Sequence, residues 1–318
     1  MSEHPPEIGF IGLGSMGGAI AQRLAASGSL AVFDVNPAAA DALASAAPGV
    51  VAVPLADLGR TCRVVFTCLP KSENVVELLT EHGLLDVLQP GSVLVDMTTG
   101  SPAVDARIRE LLRERGVEFA DAPVSGGPTG AQKGTLCIMV GADPAVFERI
   151  APVMRTISSN VVHVGPPSSG HVMKLVNNFL AIANRLAASE GVAMAVRHGI
   201  ELNTCLDVLE MSTGASHTTS TTFRRMATEG KAAAQGFQLG LAAKDVRLAR
   251  ELFDDADIPS WVAEQTSELL DQAEQKIGGD QDVAAIQSWY GYFGLPPDGL
   301  PAATAPGERS TARNSAVR

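Results

Sequence analysis

The sequence predicts an α/β domain with a mainly parallel, doubly wound sheet, followed by an all-helical domain. Two patterns carry this prediction. In the first half of the chain, short apolar runs alternate with helical patterns, as in a parallel sheet that is covered by helices on both faces. After about Gly165 the strand signals stop, and apolar residues recur at helical spacing instead.

Seven apolar runs in the first half are predicted as strands, because most of them are too short for buried helices. The pattern leaves the direction of the outer strands open. The predicted strands are residues 8–11, 30–33, 64–68, 93–95, 118–120, 136–140 and 161–164.

Length and composition predict two domains and a tail. A single core rarely grows beyond about 250 residues, whereas this chain has 318 residues, of which 46% are hydrophobic. We expect the sheet domain over residues 1–165 and the helical domain over residues 166–294. Residues 295–318 are proline-rich at first and polar afterwards, so they bury too little apolar surface to offset their ordering entropy, and a disordered tail is predicted.

Charge and targeting signals narrow the function classes. The formal net charge of −11 argues against binding to nucleic acids or anionic membranes, since such surfaces need clustered Lys and Arg. The N-terminus lacks the features of a signal peptide, no apolar stretch of transmembrane length is free of polar residues, and the four cysteines show no CxxC pairing. We expect a cytoplasmic protein with reduced thiols, whose partners are small molecules and copies of itself.

The first motif is a glycine-rich loop between a predicted strand and a predicted helix. It reads Gly12-Leu13-Gly14-Ser15-Met16-Gly17. In a dinucleotide-binding turn the first glycine permits the tight bend, the second lets the backbone approach the pyrophosphate, and the third allows helix and strand to pack closely. The pattern alone is weak, but its position predicts a Rossmann-type domain that binds a dinucleotide through these six residues.

Asp34 ends the next predicted strand, about twenty residues after the loop. A carboxylate at this position can accept hydrogen bonds from the ribose hydroxyls of adenosine and would repel the 2′-phosphate of NADP. No basic residue occurs between Asp34 and Arg60, so NAD is predicted as the cofactor rather than NADP. The alternative is that Asp34 caps the helix that begins near Pro37.

A second glycine-rich loop runs from Asp121 to Thr135, with glycines at positions 126, 127, 130 and 134. Consecutive backbone N–H groups in such a loop can point at an anion, and a carboxylate would fit there, with Ser125 as a further donor. Asp121 is interpreted as structural, because it ends a strand and fixes the turn. The alternative is that the glycines only permit tight bends.

Lys174 and Asn178 lie four positions apart on one face of a predicted long helix. A lysine on an apolar helix face loses hydration, so its ammonium pKa falls and proton exchange near neutral pH becomes feasible. Asn178 could hold a substrate hydroxyl or the lysine in place. The alternative for a lone lysine is a side chain that extends from a solvent-facing stripe, but the two glycine-rich loops favour the catalytic interpretation.

The histidines indicate no metal site, since no pair has the spacing of metal ligands. His171 lies one helical turn before Lys174 and could tune it. A Ser-His-Asp hydrolase is not supported either, because no Gly-x-Ser-x-Gly turn follows a strand. The sequence therefore gives no support to a metal-dependent or hydrolytic mechanism.

Five segments of the chain carry a family likeness. They are Gly12-Leu-Gly-Ser-Met-Gly17, Asp96-Met-Thr-Thr-Gly-Ser-Pro102, Asp121-Ala-Pro-Val-Ser-Gly-Gly127 with Gly134-Thr-Leu, Gly170-His-Val-Met-Lys-Leu-Val-Asn-Asn178, and Lys244-Asp-Val-Arg-Leu-Ala249. In this order they resemble the motifs of the beta-hydroxyacid dehydrogenase family, especially 3-hydroxyisobutyrate dehydrogenases and tartronate semialdehyde reductases. The likeness covers nearly everything to about residue 290.

The resemblance implies a catalytic pair and a substrate site. Lys174 would be the catalytic acid or base, with Asn178 as its partner. The implied contacts of the substrate carboxylate are Ser125, Gly126 and Gly127. One segment departs from the family pattern: residues 211–222 form a polar run that we expect to face the substrate tail. His217 is a candidate substrate contact there, with a solvated loop histidine as the alternative, and the identity of the hydroxy acid stays open.

The resemblance also implies cofactor contacts outside the first loop. Lys244 would reach the cofactor from the helical domain, although the residues alone indicate an ordinary charged helix face at Lys244 and Asp245. Further implied cofactor contacts are Leu69, Pro70, Asn74 and Thr99.

The predicted reaction is the NAD-dependent oxidation of a short, carboxylate-bearing 3-hydroxy acid similar to 3-hydroxyisobutyrate. Lys174 takes the hydroxyl proton while the carbinol hydride moves to the nicotinamide, and the reverse reduction uses the protonated lysine. Alternatives are a tartronate semialdehyde reductase, an imine or other aldehyde reductase on the same scaffold, and a dinucleotide-binding module without turnover. We expect a homodimer or homotetramer that associates through the helical domain.

Overall fold

The computed structural model describes residues 7–229 and 236–286. The chain forms two compact units. Among the described residues, the first unit comprises residues 7–179 and 244–260, and the second comprises residues 180–229, 236–243 and 261–286. The predicted tail, residues 295–318, lies outside the described residues.

In the described part of the chain, nine strands form one sheet. They are β1 (Ile8–Ile11), β2 (Leu30–Phe33), β3 (Val50–Ala52), β4 (Val64–Thr67), β5 (Val93–Asp96), β6 (Glu118–Asp121), β7 (Val124–Ser125), β8 (Cys137–Gly141) and β9 (Asn160–Gly165). All seven predicted strands are confirmed to within one residue at each end. Strands β3 and β7 were not predicted, because runs of two or three residues are too short to show a strand period.

Strand β1 lies inside the sheet, paired in parallel with β2 and β4. From β1 the chain winds outward to β3 in one direction and through β4, β5 and β6 in the other, with every pair parallel. Such an order creates a switch point at the carboxyl ends of β1 and β4, where doubly wound sheets bind ligands. The sequence left open whether the outer strands run parallel or antiparallel, and both arrangements occur. Strand β8 pairs antiparallel with β6 and β7 but parallel with β9.

Two apolar cores cover the two faces of the sheet. Neighbouring residues of one strand point to opposite faces, and accordingly Phe10 belongs to one core and Ile11 to the other. The covering helices are α1 (Ser15–Ala25), α2 (Pro37–Ala46), α3 (Leu55–Thr61), α4 (Ser72–Thr80), α5 (Leu84–Val87), α6 (Pro102–Arg113), α7 (Gly127–Lys133) and α8 (Pro144–Ile157). Helices α1, α2, α7 and α8 pack on the first face and α3 to α6 on the second, which confirms the predicted arrangement.

Past Gly165 the described residues are helical, as predicted, apart from an isolated bridge between Gln238 and Asp282. The helices are α9 (Ser169–Arg197), α10 (Leu202–Glu210), α11 (Arg224–Glu229), α12 (Leu239–Asp255) and α13 (Trp261–Ile277), with a π-helical segment at Thr218–Phe223 before α11. The second unit has its own small core, formed by Val192, Cys205, Leu206, Phe223 and Met226.

Helix α9, 29 residues long, is apolar enough to cross a membrane by length and composition alone. The core helices of soluble proteins often meet the same criterion. Its polar interruptions include Lys174 and Arg185, and both side chains are buried within the protein. The long helix that the sequence predicts around Lys174 is therefore present, and it holds two cations away from solvent.

Candidate active site

The first glycine-rich loop connects β1 to α1, at the switch point of the sheet. Gly12 has φ +94°, and a Cβ atom there would clash with the carbonyl oxygen of Cys68. A Cβ at Gly17 would clash with the carbonyl oxygen of Gly12, so the loop and the helix pack too closely for any side chain. Gly14 instead faces open space. The three glycines therefore form a cradle of bare backbone at a helix N-terminus, which fits a dinucleotide pyrophosphate.

Asp34 ties the end of β2 to this loop. Its Oδ2 accepts a 2.6 Å hydrogen bond from the Leu13 N–H, and its Oδ1 accepts a 2.8 Å bond from the Asn36 N–H. The cap of α2 is Asn36, whose side chain accepts from the Ala38 N–H. The alternative interpretation of Asp34 as a helix cap is therefore wrong, and its half-buried carboxylate stands beside the glycine loop.

The ends of β4 and β5 are held together by a short network. Oδ1 of Asp96 accepts hydrogen bonds from Thr67 Oγ1 at 2.9 Å and from the Thr98 N–H at 3.0 Å. Thr98 Oγ1 in turn accepts from the Leu69 N–H at 3.1 Å. This network brings two of the implied cofactor contacts, Leu69 and Thr99, to one edge of the sheet. The other two, Pro70 and Asn74, follow Leu69, with Pro70 exposed and Asn74 half-buried.

The second glycine-rich loop contains two kinds of glycine. Gly130 is explained by packing, because a Cβ there would lie 3.1 Å from Leu136 Cδ2. Gly134 is explained by its backbone, because it ends α7 in the left-handed conformation with φ +67°. Gly126 and Gly127 have φ +131° and φ +65° and follow Ser125, the last residue of β7. Two consecutive glycines of positive φ after a half-buried serine are suited to turning backbone N–H groups toward an anion.

Asp121 was predicted to be structural and to fix the turn that follows it, and it is structural, but it holds the start of α9. It ends β6, and its two carboxylate oxygens accept hydrogen bonds from the Ser168 N–H at 2.6 Å and the His171 N–H at 2.7 Å. The carboxylate therefore caps the start of α9 instead of its own turn. Burial raises the pKa of Asp121 to about 6.

Lys174, Asn178, Lys244 and Asp245 form one buried cluster in the first unit. Asn178 Nδ2 donates a 2.6 Å hydrogen bond to Oδ2 of Asp245, and Oδ1 of Asp245 lies 3.2 Å from Lys244 Nζ. Lys244 Nζ also donates a 2.5 Å hydrogen bond to the carbonyl of Thr99. The exposed fraction is only 8% for Lys174 and 1% for Asp245. The alternatives of a solvent-facing Lys174 and of a charged, exposed face at 244–245 are therefore both wrong.

Burial and the neighbouring charges have opposite effects on the pKa values of Lys174 and Asp245. Burial lowers the pKa of Lys174 and the neighbouring Lys244 lowers it further, while Asp245 and Cys137 raise it. For Asp245 the direction is reversed, since burial raises its pKa and the two lysines and the Asn178 hydrogen bond lower it. A lysine in this setting can lose its proton closer to neutral pH than a lysine in water.

A second buried group, which the sequence analysis did not identify, surrounds His171. The ligand atoms of Asp96, Asp105 and His171 lie within 4.8 Å of one another, a grouping that could hold a metal ion. However, Nδ1 of the ring is 2.8 Å from Asp105 Oδ2, and Nε2 is 2.9 Å from the Thr98 carbonyl. A carbonyl can only accept, so Nε2 carries a proton and is not available as a ligand.

Two residues of this region had no clear sequence signal. Asp245 is adjacent to Lys244, but only the fold shows that its carboxylate is buried beside Lys174. Asp105 lies on α6 and looks like an ordinary helix residue in the sequence. The remaining candidate, His217, is exposed and belongs to the second unit, so its contact with substrate stays a prediction.

Two family models match the chain. A model described as the NAD binding domain of 6-phosphogluconate dehydrogenase matches residues 7–165. A model described as NAD-binding of NADP-dependent 3-hydroxyisobutyrate dehydrogenase matches residues 168–290.

Similar proteins have related descriptions. The chain is 32% identical to 2-(hydroxymethyl)glutarate dehydrogenase of Eubacterium barkeri over 283 aligned residues. The aligned region covers 88% of this chain and 93% of that protein. It is 34% identical over 252 residues to the NAD-dependent L-serine dehydrogenase of Pseudomonas aeruginosa, with 77% and 84% covered. The solved structure of Mycobacterium tuberculosis 3-hydroxyisobutyrate dehydrogenase with L-serine has a TM-score of 0.80 at 26% identity, and covers 89% of this chain and 98% of that chain.

Proposed function

The chain belongs to the 3-hydroxyisobutyrate dehydrogenase-type family of NAD(P)-dependent hydroxyacid dehydrogenases, and from this premise we propose that it oxidises a short 3-hydroxy acid with NAD, using Lys174 as the acid–base group. The observation that carries the proposal is the buried lysine beside a buried carboxylate. Asn178 donates to Oδ2 of Asp245, and Lys244 Nζ lies 3.2 Å from Oδ1. We infer that Lys174 is the member of this cluster that acts on the substrate.

We propose the following roles for the side chains. A bound nicotinamide cofactor supplies the hydride acceptor. Lys174, whose pKa is lowered by burial, accepts the proton of the substrate hydroxyl in its neutral form, and in the reverse direction the ammonium returns it. Asn178 bonds Asp245 through its side-chain amide, and as the catalytic partner it is proposed to hold the lysine or the substrate hydroxyl in place. The negative charge of Asp245 then limits how far the lysine pKa falls.

We assign the substrate carboxylate to Ser125, Gly126 and Gly127. The positive φ of both glycines supports this assignment, since it lets successive N–H groups converge on an anion. Similar proteins act on carboxylate-bearing substrates according to their names, among them L-serine and 2-(hydroxymethyl)glutarate. The polar run 211–222, including the exposed His217, is proposed to select the substrate tail.

We assign the cofactor to the cradle of residues 12–17, with Leu69, Pro70, Asn74, Thr99 and Lys244 as further contacts. The preference for NAD rests on Asp34, since a carboxylate beside the glycine loop would have to approach the added phosphate of NADP. The Leu13 N–H that now bonds Asp34 keeps the carboxylate fixed at the loop. Such a fixed charge discriminates against a second anion.

We propose a cytoplasmic location, a division of the chain at residue 165, and self-association through the helical part. The four cysteines, all in the described part of the chain, form no disulfide with one another, which supports a reducing compartment. The two family models meet between residues 165 and 168, which supports the division. Large apolar side chains are exposed on the helices, including Leu180, Trp261 and Val262, which supports contact between copies.

The test is an absorbance screen for NADH or NADPH formation. The substrates are 3-hydroxyisobutyrate, glycerate, threonate and serine, each with NAD and with NADP, and the reverse screen uses tartronate semialdehyde and a cyclic imine. We expect turnover of at least one 3-hydroxy acid with NAD, and loss of that turnover in Lys174→Ala. Turnover of the imine alone, or cofactor binding without turnover of any substrate, would contradict the proposal.

A further inference from the structure

We propose that His171 is a positioning residue for Lys174: its ring clamps the first turn of α9 to the end of β5 and to α6. The inference rests on the proposed function, because it takes Lys174 as the acid–base group. Lys174 follows His171 by three positions on the same helix, so the two side chains lie on one face about one turn apart.

The ring of His171 is fully buried and bonded on both sides. Nδ1 lies 2.8 Å from Asp105 Oδ2 on α6, and Nε2 lies 2.9 Å from the carbonyl of Thr98, just after β5. Gly100 closes the remaining side, since a Cβ there would lie 2.6 Å from Cε1 of the ring. A side chain held in this way leaves the backbone of residue 171 little freedom to shift.

The same turn of α9 is also held through its backbone. Asp121 accepts the N–H groups of Ser168 and His171. Ser168 has φ +79°, a left-handed conformation that serine rarely adopts. Strain of this kind persists only where surrounding contacts fix it, which indicates that the start of α9 is over-determined.

The clamp carries a positive charge. Nε2 must donate to the Thr98 carbonyl, and Nδ1 faces a carboxylate, so an imidazolium satisfies both contacts. The charged groups that face the ring are Asp105 on α6, Asp96 at the end of β5 and Asp121 at the end of β6. Although burial lowers the pKa of His171, the Asp105 hydrogen bond and the three carboxylates raise it to about 9. The clamp therefore stays charged at neutral pH.

The clamp is also connected to Lys244 and Asp245, the two residues of the lysine cluster that lie on α12. His171 bonds the carbonyl of Thr98, and Lys244 bonds the carbonyl of Thr99. Two cations thus fix successive carbonyls of one loop, and Lys244 in turn contacts Asp245. A displacement of this loop would move both the helix that bears Lys174 and the charges around it.

The main variant is His171→Gln, whose amide can still donate to the Thr98 carbonyl but presents an oxygen to the Asp105 carboxylate. The double variant His171→Gln with Asp105→Asn supplies a donor for that oxygen and so restores the bridge without charge. His163→Gln is the control, since His163 also bonds a carbonyl, that of Ala142, but lies on β9. We expect His171→Gln to lower kcat by about 10- to 100-fold with little change in the KM for NAD. The double variant should recover most of the lost kcat. The control His163→Gln should keep full activity.

A second readout does not need turnover. The rate of acylation of Lys174 by acetic anhydride is followed against pH by peptide mass spectrometry, and its midpoint gives the pKa of the amine. In His171→Gln we expect this midpoint to move up toward that of an ordinary lysine, because a loosened turn hydrates the amine. An unchanged midpoint, or a kcat loss that the double variant does not recover, would overturn the clamp.

The two proposals can fail separately. If the wild-type protein turns over no hydroxy acid, the proposed function fails, while the acylation midpoints still decide whether His171 sets the state of Lys174. If His171→Gln does not fold, Asp105→Ala alone is measured by the same two readouts. That variant removes the hydrogen-bond partner of Nδ1, and unchanged kcat and midpoint in it would equally refute the clamp.

Discussion

The side-chain amide of Asn178 donates a 2.6 Å hydrogen bond to Oδ2 of Asp245, 67 positions further along the chain. The bond joins α9 to α12 and fixes a carboxylate that is almost fully buried. Asp245 raises the pKa of Lys174 against the effect of burial, so we expect the amide to influence the lysine through the aspartate. The role of Asn178 as the catalytic partner of Lys174 stays a prediction.

Lys174→Ala should abolish turnover and leave NAD binding nearly intact. The lost group acts on the substrate proton, and positioned acid–base catalysis contributes about 100- to 10,000-fold. Steady-state kinetics measure the loss of turnover, and fluorescence titration with NADH measures cofactor binding. Lys174→Met preserves the length of the side chain and should be equally inactive, so near-native kcat in either variant would show that Lys174 is not the acid–base group.

Asp245→Asn should move the acidic limb of the kcat profile for oxidation to lower pH. The carboxylate raises the pKa of Lys174, so without it the pKa falls further and the neutral amine persists into more acidic solution. Asp254→Asn, on the exposed side of the same helix, is the control and should leave the profile unchanged. A limb that moved to higher pH would contradict this assignment.

Asp34→Ser should narrow the preference for NAD over NADP. The serine keeps a hydrogen-bonding group for the ribose but removes the charge that repels the phosphate. The ratio of kcat/KM for the two cofactors measures the effect. Equal kcat/KM for NAD and NADP in the wild-type enzyme would mean that Asp34 does not select the cofactor.

Gly17→Ala should lower the stability of the protein, whereas Gly14→Ala should lower only its affinity for NAD. The added methyl at Gly17 meets the carbonyl oxygen of Gly12, so the variant should lose about 1 to 3 kcal/mol of stability or more, as in overpacked cores. At Gly14 the methyl meets nothing within 4 Å, so the Tm should be retained and only the affinity for NAD should fall. Thermal unfolding with and without NAD separates the two, and a normal affinity in Gly14→Ala would place the cofactor elsewhere.

The amide and the methyl ester of a good substrate should react more slowly than the acid. Neither offers a full negative charge to Ser125, Gly126 and Gly127, and a lost charge-assisted hydrogen bond costs about 1.5 to 3 kcal/mol, or roughly ten- to a hundred-fold in kcat/KM. Ser125→Ala should have a smaller effect, because the backbone donors remain. An ester that reacts as fast as its acid would argue against a carboxylate site at this loop.

The fold was predictable because its signals are local. The strand runs, the glycine loop at residues 12–17 and the helical period after Gly165 each depend on neighbours in the sequence, and the structure contains all three. Strand β3 was missed because three residues carry no readable period. The cap of α2 was assigned to Asp34 as an alternative, whereas Asn36, directly before the helix, takes that position.

The burial of Lys174 was predicted, but the carboxylates buried around it and around His171 were not predictable, because they depend on contacts between distant segments. Asp105 and His171 are 66 positions apart, and Asp121 and His171 are 50 apart. Nothing near Asp105 distinguishes it from the exposed acids of other helices. His171 stood out only as a neighbour of Lys174, and its two ring contacts required the β5 loop and α6 to be in place.

The stretch Lys244–Ser260 belongs to the first compact unit, although Leu180–Ala243 separates it from the rest of that unit along the chain. A chimera that joined residues 1–179 to the helical half of a relative would keep Lys174 and the glycine loop. Residues 244–260, which bond the Thr99 carbonyl and flank Lys174, would then come from the relative and would have to pack against residues 1–179 of this chain. An exchange that keeps the first compact unit intact therefore has to carry residues 244–260 together with residues 1–179.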